Sequence, residues 1–166
     1  TAIGDRLYTN LNGPLQALDA ATGEVILEKM GGGKVLYKDG SLLLVGSNSV
    51  SEIDPENGKL QWSFKLPVKE SGGLVVTGDN KLIYQGSGHP RRKVCVDLKS
   101  QETLWNVPSP QAVKYIYSAE TLFTTTRNSF NAYSVKDGKL LWQKKEASLS
   151  SHPKSRNCAF IVNGLL

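Results

Sequence analysis

Histidine is nearly absent from this chain. His89 and His152 are the only two in 166 residues, and each is followed by proline. Imidazole, the commonest general base, therefore has two candidate positions, both in loops. Cysteine is as rare: Cys95 and Cys158 form no Cys-x-x-Cys pair and no zinc-ligand spacing, which excludes the common thiol redox and zinc-finger modules. They leave one disulfide open, since sequence alone does not show whether the two approach. No Gly-x-Ser-x-Gly, His-x-x-x-His or Walker-type phosphate loop occurs. The one glycine run, Gly31-Gly32-Gly33, reads as a flexible link rather than a phosphate cradle. No apolar stretch reaches the roughly 20 residues a membrane-spanning helix needs. An acidic surplus is missing too: 20 Lys and Arg face 15 Asp and Glu, for a net charge of +5. The basic residues are scattered over turns and strand edges, without the aromatic-interleaved clusters of a nucleic-acid surface. Helical periodicity is not sustained anywhere.

What the chain does have is internal repetition. Asp19, Asp54, Asp97 and Ser134 occupy equivalent places, and eight residues after each comes a large hydrophobe: Leu27, Trp62, Trp105 and Trp142. Four residues after each comes Gly23, Gly58, Gln101 or Gly138. The spacing is 35 residues from Asp19 to Asp54, 43 to Asp97 and 37 to Ser134. A period of this length fixes the architecture before any local motif is weighed.

Each repeat reads as four short strands between turn signals. In the second they are Lys34–Lys38, Leu42–Val45, Val50–Ile53 and Leu60–Phe64, with turns at Asp39-Gly40, Gly46–Asn48 and Pro55–Gly58. The third gives Leu74–Thr77, Leu82–Gln85, Lys93–Val96 and Thr103–Val107. Four strands in 35–43 residues is the spacing of a propeller blade. The prediction is an all-β propeller domain or fragment over 1–166. Its repeats lie at approximately 1–30, 31–67, 68–109 and 110–145, and 146–166 is a loop plus the start of a fifth unit. Cys158–Val162 is expected to be that unit's first strand, and Lys144–Asn157 a long polar loop. Both ends read as cut through a blade. Three arrangements stay open: part of a larger propeller, a closed four-bladed ring, or self-association with a second copy to complete a larger ring.

The strings Ala-Leu-Asp-x-x-Thr-Gly-Glu at 17–24, Ile-Asp-x-x-x-Gly-Lys-Leu-x-Trp at 53–62 and Asp-Gly-Lys-Leu-Leu-Trp at 137–142 resemble the tryptophan-docking repeat of quinoprotein-like propellers, the PQQ-like repeat. The resemblance implies that Trp62, Trp105 and Trp142 pack between adjacent blades, with Gly58 and Gly138 in the turns. Leu27 and Gln101 depart from that pattern, which implies weaker docking in repeats one and three. Quinone-binding members use adjacent cysteines, a Trp floor and calcium ligands in an eight-bladed ring. Vicinal cysteines are absent here. No cofactor is expected, and PQQ only in a larger assembly. The resemblance favours a non-enzymatic scaffold for a protein or peptide partner, similar to the propeller lipoprotein that assists outer-membrane protein assembly, and a periplasmic or otherwise extracytoplasmic location. The alternative is a fragment of a quinone- or metal-dependent oxidoreductase whose active residues lie elsewhere.

No catalytic or metal-binding residue is singled out. The repeat aspartates read as turn caps, accepting hydrogen bonds from backbone N–H groups two residues on. Cys95 falls in the column of Ala17, Glu52 and Ala132 and reads as a small core residue. The candidate partner-binding group is His89, Arg91, Arg92 and Lys93. It falls in a three-residue insertion of the third repeat, and insertions in repeat proteins map to loops on one face. The expectation is an extended hairpin loop in contact with an acidic partner or a phosphate.

Overall fold

The repeated turn builds the same structure four times. In the computed structural model, which describes residues 2–9, 14–29, 31–112, 114–126 and 128–145, the Asp19 carboxylate accepts the N–H groups of Ala21 and Thr22 at 2.9 and 2.8 Å. Asp54 does the same for Glu56 and Asn57, and Asp97 for Lys99 and Ser100. These N–H bonds hold the Asp19 and Asp54 carboxyls below the usual carboxylate range. Gly23, Gly58 and Gly138 then donate to the carbonyls of Asp19, Asp54 and Ser134 at 2.8–2.9 Å, each with a left-handed φ near 70°. Gln101 takes that conformation with φ 61°, where a side chain is disfavoured.

Every repeat is one four-stranded antiparallel sheet in chain order. The strands are β1 (Ala2–Ile3), β2 (Arg6–Thr9), β3 (Leu15–Asp19) and β4 (Val25–Lys29); then β5 (Lys34–Lys38), β6 (Ser41–Val45), β7 (Ser49–Ile53) and β8 (Leu60–Lys65). The third sheet is β9 (Glu70–Val76), β10 (Lys81–Gly86), β11 (Arg92–Asp97) and β12 (Thr103–Pro108), and the fourth is β13 (Lys114–Ser118), β14 (Thr121–Thr125), β15 (Ser129–Ser134) and β16 (Leu140–Lys145). β9 begins four residues before the expected Leu74. Where the third strand meets the fourth, every sheet carries the same register shift, at Ala17/Leu18, Glu52/Ile53, Cys95/Val96 and Ala132/Tyr133. A bulge at that place adds local twist. The expected strand Cys158–Val162 and most of the loop 144–157 lie outside the described residues.

The chain divides into two compact units, Thr1–Lys69 and Glu70–Leu166. In the first, Tyr8, Leu15 and Ala17 of one sheet bury against Leu42, Leu44 and Ile53 of the next, with Leu27 and Val35 at the margin. Tyr8 donates its hydroxyl to the Pro55 carbonyl at 2.7 Å, and Arg6 reaches the Pro55 and Glu56 carbonyls. Leu27 sits on the neighbouring turn: a Cβ added at Gly58 would lie 2.8 Å from Leu27 Cδ2.

The second unit uses the same plan with a larger side chain. Ile83, Cys95 and Trp105 face Leu122, Tyr133 and Val135. Trp105 is only 8% exposed, donates its indole N–H to the Val135 carbonyl at 2.7 Å, and lies so close to Gly138 that an added Cβ would meet Cε3 at 2.8 Å. An indole so placed buries a large apolar area with its one donor satisfied. β9 and β13 run side by side. Gly73 on β9 permits it, because a Cβ there would stand 2.2 Å from the Tyr115 ring.

Candidate protein-binding cleft

Up-and-down strand order returns the chain, after the second strand of a sheet and again after its fourth, to the same end of that sheet. In the third sheet the segments at that end are the β10–β11 loop, Ser87–Arg91, and the link after β12. Backbone ties them: Ser109 N–H donates to the Arg91 carbonyl at 2.9 Å, as Leu66 does to Asn48 in the second repeat. Between them lies a cleft of about 510 Å³ lined by Pro90, Arg91, Pro108, Ser109, Pro110 and Gln111.

Of the four candidate partner-binding residues, His89 is exposed on the β10–β11 loop beside the cleft residue Pro90, and Arg91 is half-buried in the cleft lining. The other two are not on the loop. Arg92 opens β11 and is spent on Asn106, donating Nε to its side-chain oxygen and NH2 to its carbonyl at 2.8 Å. Lys93 is fully buried in the joint between the third and fourth sheets. Strand alternation explains the correction: Lys93 is two residues from Cys95, so both point to the same, inner side.

Lys93 is unusual chemistry for a core. Its Nζ donates to Ser109 Oγ at 2.9 Å and lies 3.1 Å from the centre of the Tyr133 ring and 6.0 Å from that of Tyr115. Burial pushes its ammonium down to about 7, while the ring face of Tyr133 favours the charge. Burial also raises the phenols of Tyr115 and Tyr133 and pushes the Cys95 thiol up to about 12, so that thiol is an inert core group. Beside the lysine, Gln85 is fully buried and holds the link from below: its Nε2 donates to the Arg92 carbonyl at 2.7 Å, and its Oε1 accepts from Ala112 N–H and Tyr115 O–H, each at 3.2 Å. The cleft floor is thus a hydrogen-bonded layer over a buried cation.

Ser109, the flanking prolines and the Lys93 surroundings were not singled out in the sequence, although the Pro-Ser-Pro string between strands and the repeat column of Lys93 mark them. The other tryptophans lie apart. Trp62 is half-buried and stacks on Phe64 with ring centres 5.6 Å apart; Trp142 is 45% exposed and tilts against Phe123. A second cleft of about 600 Å³ in the first unit is lined by Glu52, Asp54, Glu56 and Trp62 among others. Among the described residues no cluster of three His, Cys, Asp or Glu side chains is placed to hold a metal ion, and no helix is long and apolar enough to cross a membrane. Cys158 lies outside the described residues, and Cys95 is a free thiol.

Residues 46–164 match the family model described as outer membrane protein assembly factor BamB. No curated protein sequence matches the chain. Among solved structures, BamB from Moraxella catarrhalis superposes with a TM-score of 0.63 at 21% identity, over 85% of this chain and 46% of that one. The quinohemoprotein alcohol dehydrogenase ADHIIG from Pseudomonas putida HK5 superposes at 0.64 with 15% identity, over 86% and 33%. The computationally designed protein Ika8 reaches 0.66 at 10% identity, over 88% and 48%. The chain spans less than half the length of each of these three.

Proposed function

This chain belongs to the family of the outer membrane protein assembly factor BamB, and on that footing we propose that it is a non-enzymatic propeller scaffold for a protein partner in the periplasm or another extracytoplasmic space. It binds no cofactor in this reading. The loop end of the second unit is the contact surface, with His89, Pro90 and Arg91 on one side and Pro108–Gln111 on the other. The observation that carries the proposal is that cleft: exposed side chains stand on a backbone fixed by Ser109, Gln85 and Lys93. A surface ordered in advance loses little entropy on binding.

The test is photocrosslinking in the native host from the full-length protein, with a benzoylphenylalanine in place of Gln111 and, as the control at the opposite end of the same unit, of the exposed Lys99 in the β11–β12 turn. One discrete protein adduct from 111 alone supports the scaffold. Equal adducts from both positions, or turnover of a small molecule by the pure protein, overturns it. The likeness to a quinohemoprotein dehydrogenase supplies the second reading, a portion of a quinone-dependent oxidoreductase. Reconstitution of the full-length protein with quinone and a dye acceptor separates the two.

A further inference from the structure

We propose that the cleft of Pro90, Arg91 and Pro108–Gln111 is a carboxylate-recognition site, taking an acidic side chain of the protein partner between the Arg91 guanidinium and the Ser109 hydroxyl. The inference rests on the reading of this end as the contact surface.

Charge is the first argument. The side chains lining the cleft include one cation, Arg91, and no acid; its guanidinium donates through NH1 to Ser71 Oγ at 3.4 Å and keeps its other N–H groups for a ligand. The Lys93 amine, whose protonated form an anion would favour, lies directly behind Ser109. Among the described residues no carboxylate is paired with Lys93: its Nζ is surrounded by a hydroxyl and two phenol rings. A buried ammonium is ordinarily paired or forced neutral. An anion seated on Ser109 would supply the missing opposite charge.

Ser109 is the second. Its Oγ accepts from Lys93 and donates to the Pro110 carbonyl at 3.1 Å. That carbonyl belongs to the neighbouring residue, and the hydroxyl proton can turn from it to a carboxylate oxygen in the cleft. Lys93, Ser109 and the ligand then form one chain of hydrogen bonds, each polarising the next. The buried charge reaches the ligand through the hydroxyl, without any exposure of the lysine.

The third is the shortage of other donors. Pro90, Pro108 and Pro110 have no backbone N–H, and the Ser109 N–H is donated to Arg91. Recognition therefore falls to Arg91, Ser109 and Gln111. The proline rings offer flat apolar walls for the methylene stem of a glutamate.

The experiment is fluorescence anisotropy on the full-length protein with a labelled decapeptide of alternating glutamate and alanine, against its glutamine counterpart. The expected result is at least tenfold tighter binding of the glutamate peptide. Arg91→Glu should abolish that preference, Ser109→Ala should reduce it several-fold, and Arg91→Lys should restore part of it. Lys99→Glu, which changes the net charge equally in the β11–β12 turn at the other end of the unit, should leave it unchanged. Equal binding of both peptides, or equal loss in Lys99→Glu, overturns the proposal. The two readings fail separately. Crosslinking from position 111 that an excess of glutamate peptide does not displace leaves the contact surface standing without its carboxylate. Loss of the site-specific adduct removes both.

Discussion

The joint inside the first unit packs Leu15 among aliphatic side chains, and the joint inside the second is built on the same plan with a lysine at that place. Five equivalent positions carry the difference. Leu15, four residues before Asp19, corresponds to Lys93, four before Asp97. Gly31, Val35, Leu44 and Ile53 correspond likewise to Ser109, Tyr115, Thr124 and Tyr133. In the first unit Leu15, Leu44 and Ile53 form one buried cluster with Val35 at its edge. In the second, four of the five changed side chains meet around the amine: Lys93 bonds Ser109, stands over Tyr133 and faces Tyr115. A blade joint tolerates a buried amine when its neighbours change together. Hydroxyls and ring faces replace methyl groups, so the polar group is not left stranded.

The sharpest way to break the comparison is to move the lysine alone. Leu15→Lys places the same amine among Gly31, Val35, Leu44 and Ile53, where no side chain accepts its hydrogens. It should cost about 5 kcal/mol, and urea unfolding of the chain measures it. Adding the four companion changes should recover a large part of that loss. A fivefold variant no more stable than Leu15→Lys would mean that the companions are incidental.

Next is the docking side chain. Trp105→Ala empties a buried site and leaves the Val135 carbonyl without its donor, and should cost roughly 3–5 kcal/mol. Leu27→Ala at the equivalent place should cost about 2 kcal/mol, since Leu27 is half-buried and makes no hydrogen bond through its side chain. Comparable losses in the two would show that the joints are equally dependent on this position, whatever its size.

Removing the amine from its own joint is a gentler change and has a pH signature. Lys93 titrates at about 7 in the folded chain, below its ordinary 10.5. Between these values the unfolded chain holds a proton that the folded one does not, so stability rises with pH; the cost of burial is at its full value below 7. Cys95 opposes from pH 9 upward and the two tyrosines from pH 10, because their raised values keep protons on the folded chain. The lysine alone therefore governs this joint from about pH 7 to 9. Lys93→Met should flatten that rise and stabilise the chain at pH 7 by about 2 kcal/mol, less what the Tyr133 ring contributed. Denaturation midpoints of both chains across pH 6–9 decide it, and parallel curves would count against a titrating lysine.

How much of this was legible beforehand follows from what kind of signal each feature leaves. The four turns left a fixed spacing of Asp, Gly and Trp, and the four-stranded sheets followed from it. Lys93 left a misleading local signal. Beside Arg91 and Arg92 it belongs to a charged run, and charged runs are ordinarily solvated. Its burial is visible only when the repeats are laid over one another and Lys93 falls in the column of Leu15. Arg92 leaves the same misleading signal. Ser109 left no signal on its own, because its role depends on two loops that are eighteen residues apart in sequence and meet through one backbone hydrogen bond. The repeat period locates each column of side chains but not which loops touch.

The smallest effect concerns the one turn that departs from the pattern. Gln101 holds the left-handed conformation that glycine holds in the other three repeats. A non-glycine residue there costs about 1–2 kcal/mol, part of which a glycine returns as unfolded-chain entropy. Gln101→Gly should therefore stabilise the chain by about 0.5–1 kcal/mol, read as a small rise in thermal midpoint. The reverse change, Gly138→Gln, should cost several times more. It adds the same backbone strain and drives a Cβ to within 2.8 Å of the Trp105 ring, which has no room to retreat while its indole N–H is bound to Val135. Glycine at this turn serves two ends, its conformation and the seat it leaves for the neighbouring side chain. If Gly138→Gln costs no more than Gln101→Gly gains, conformation alone accounts for it and the seat contributes nothing.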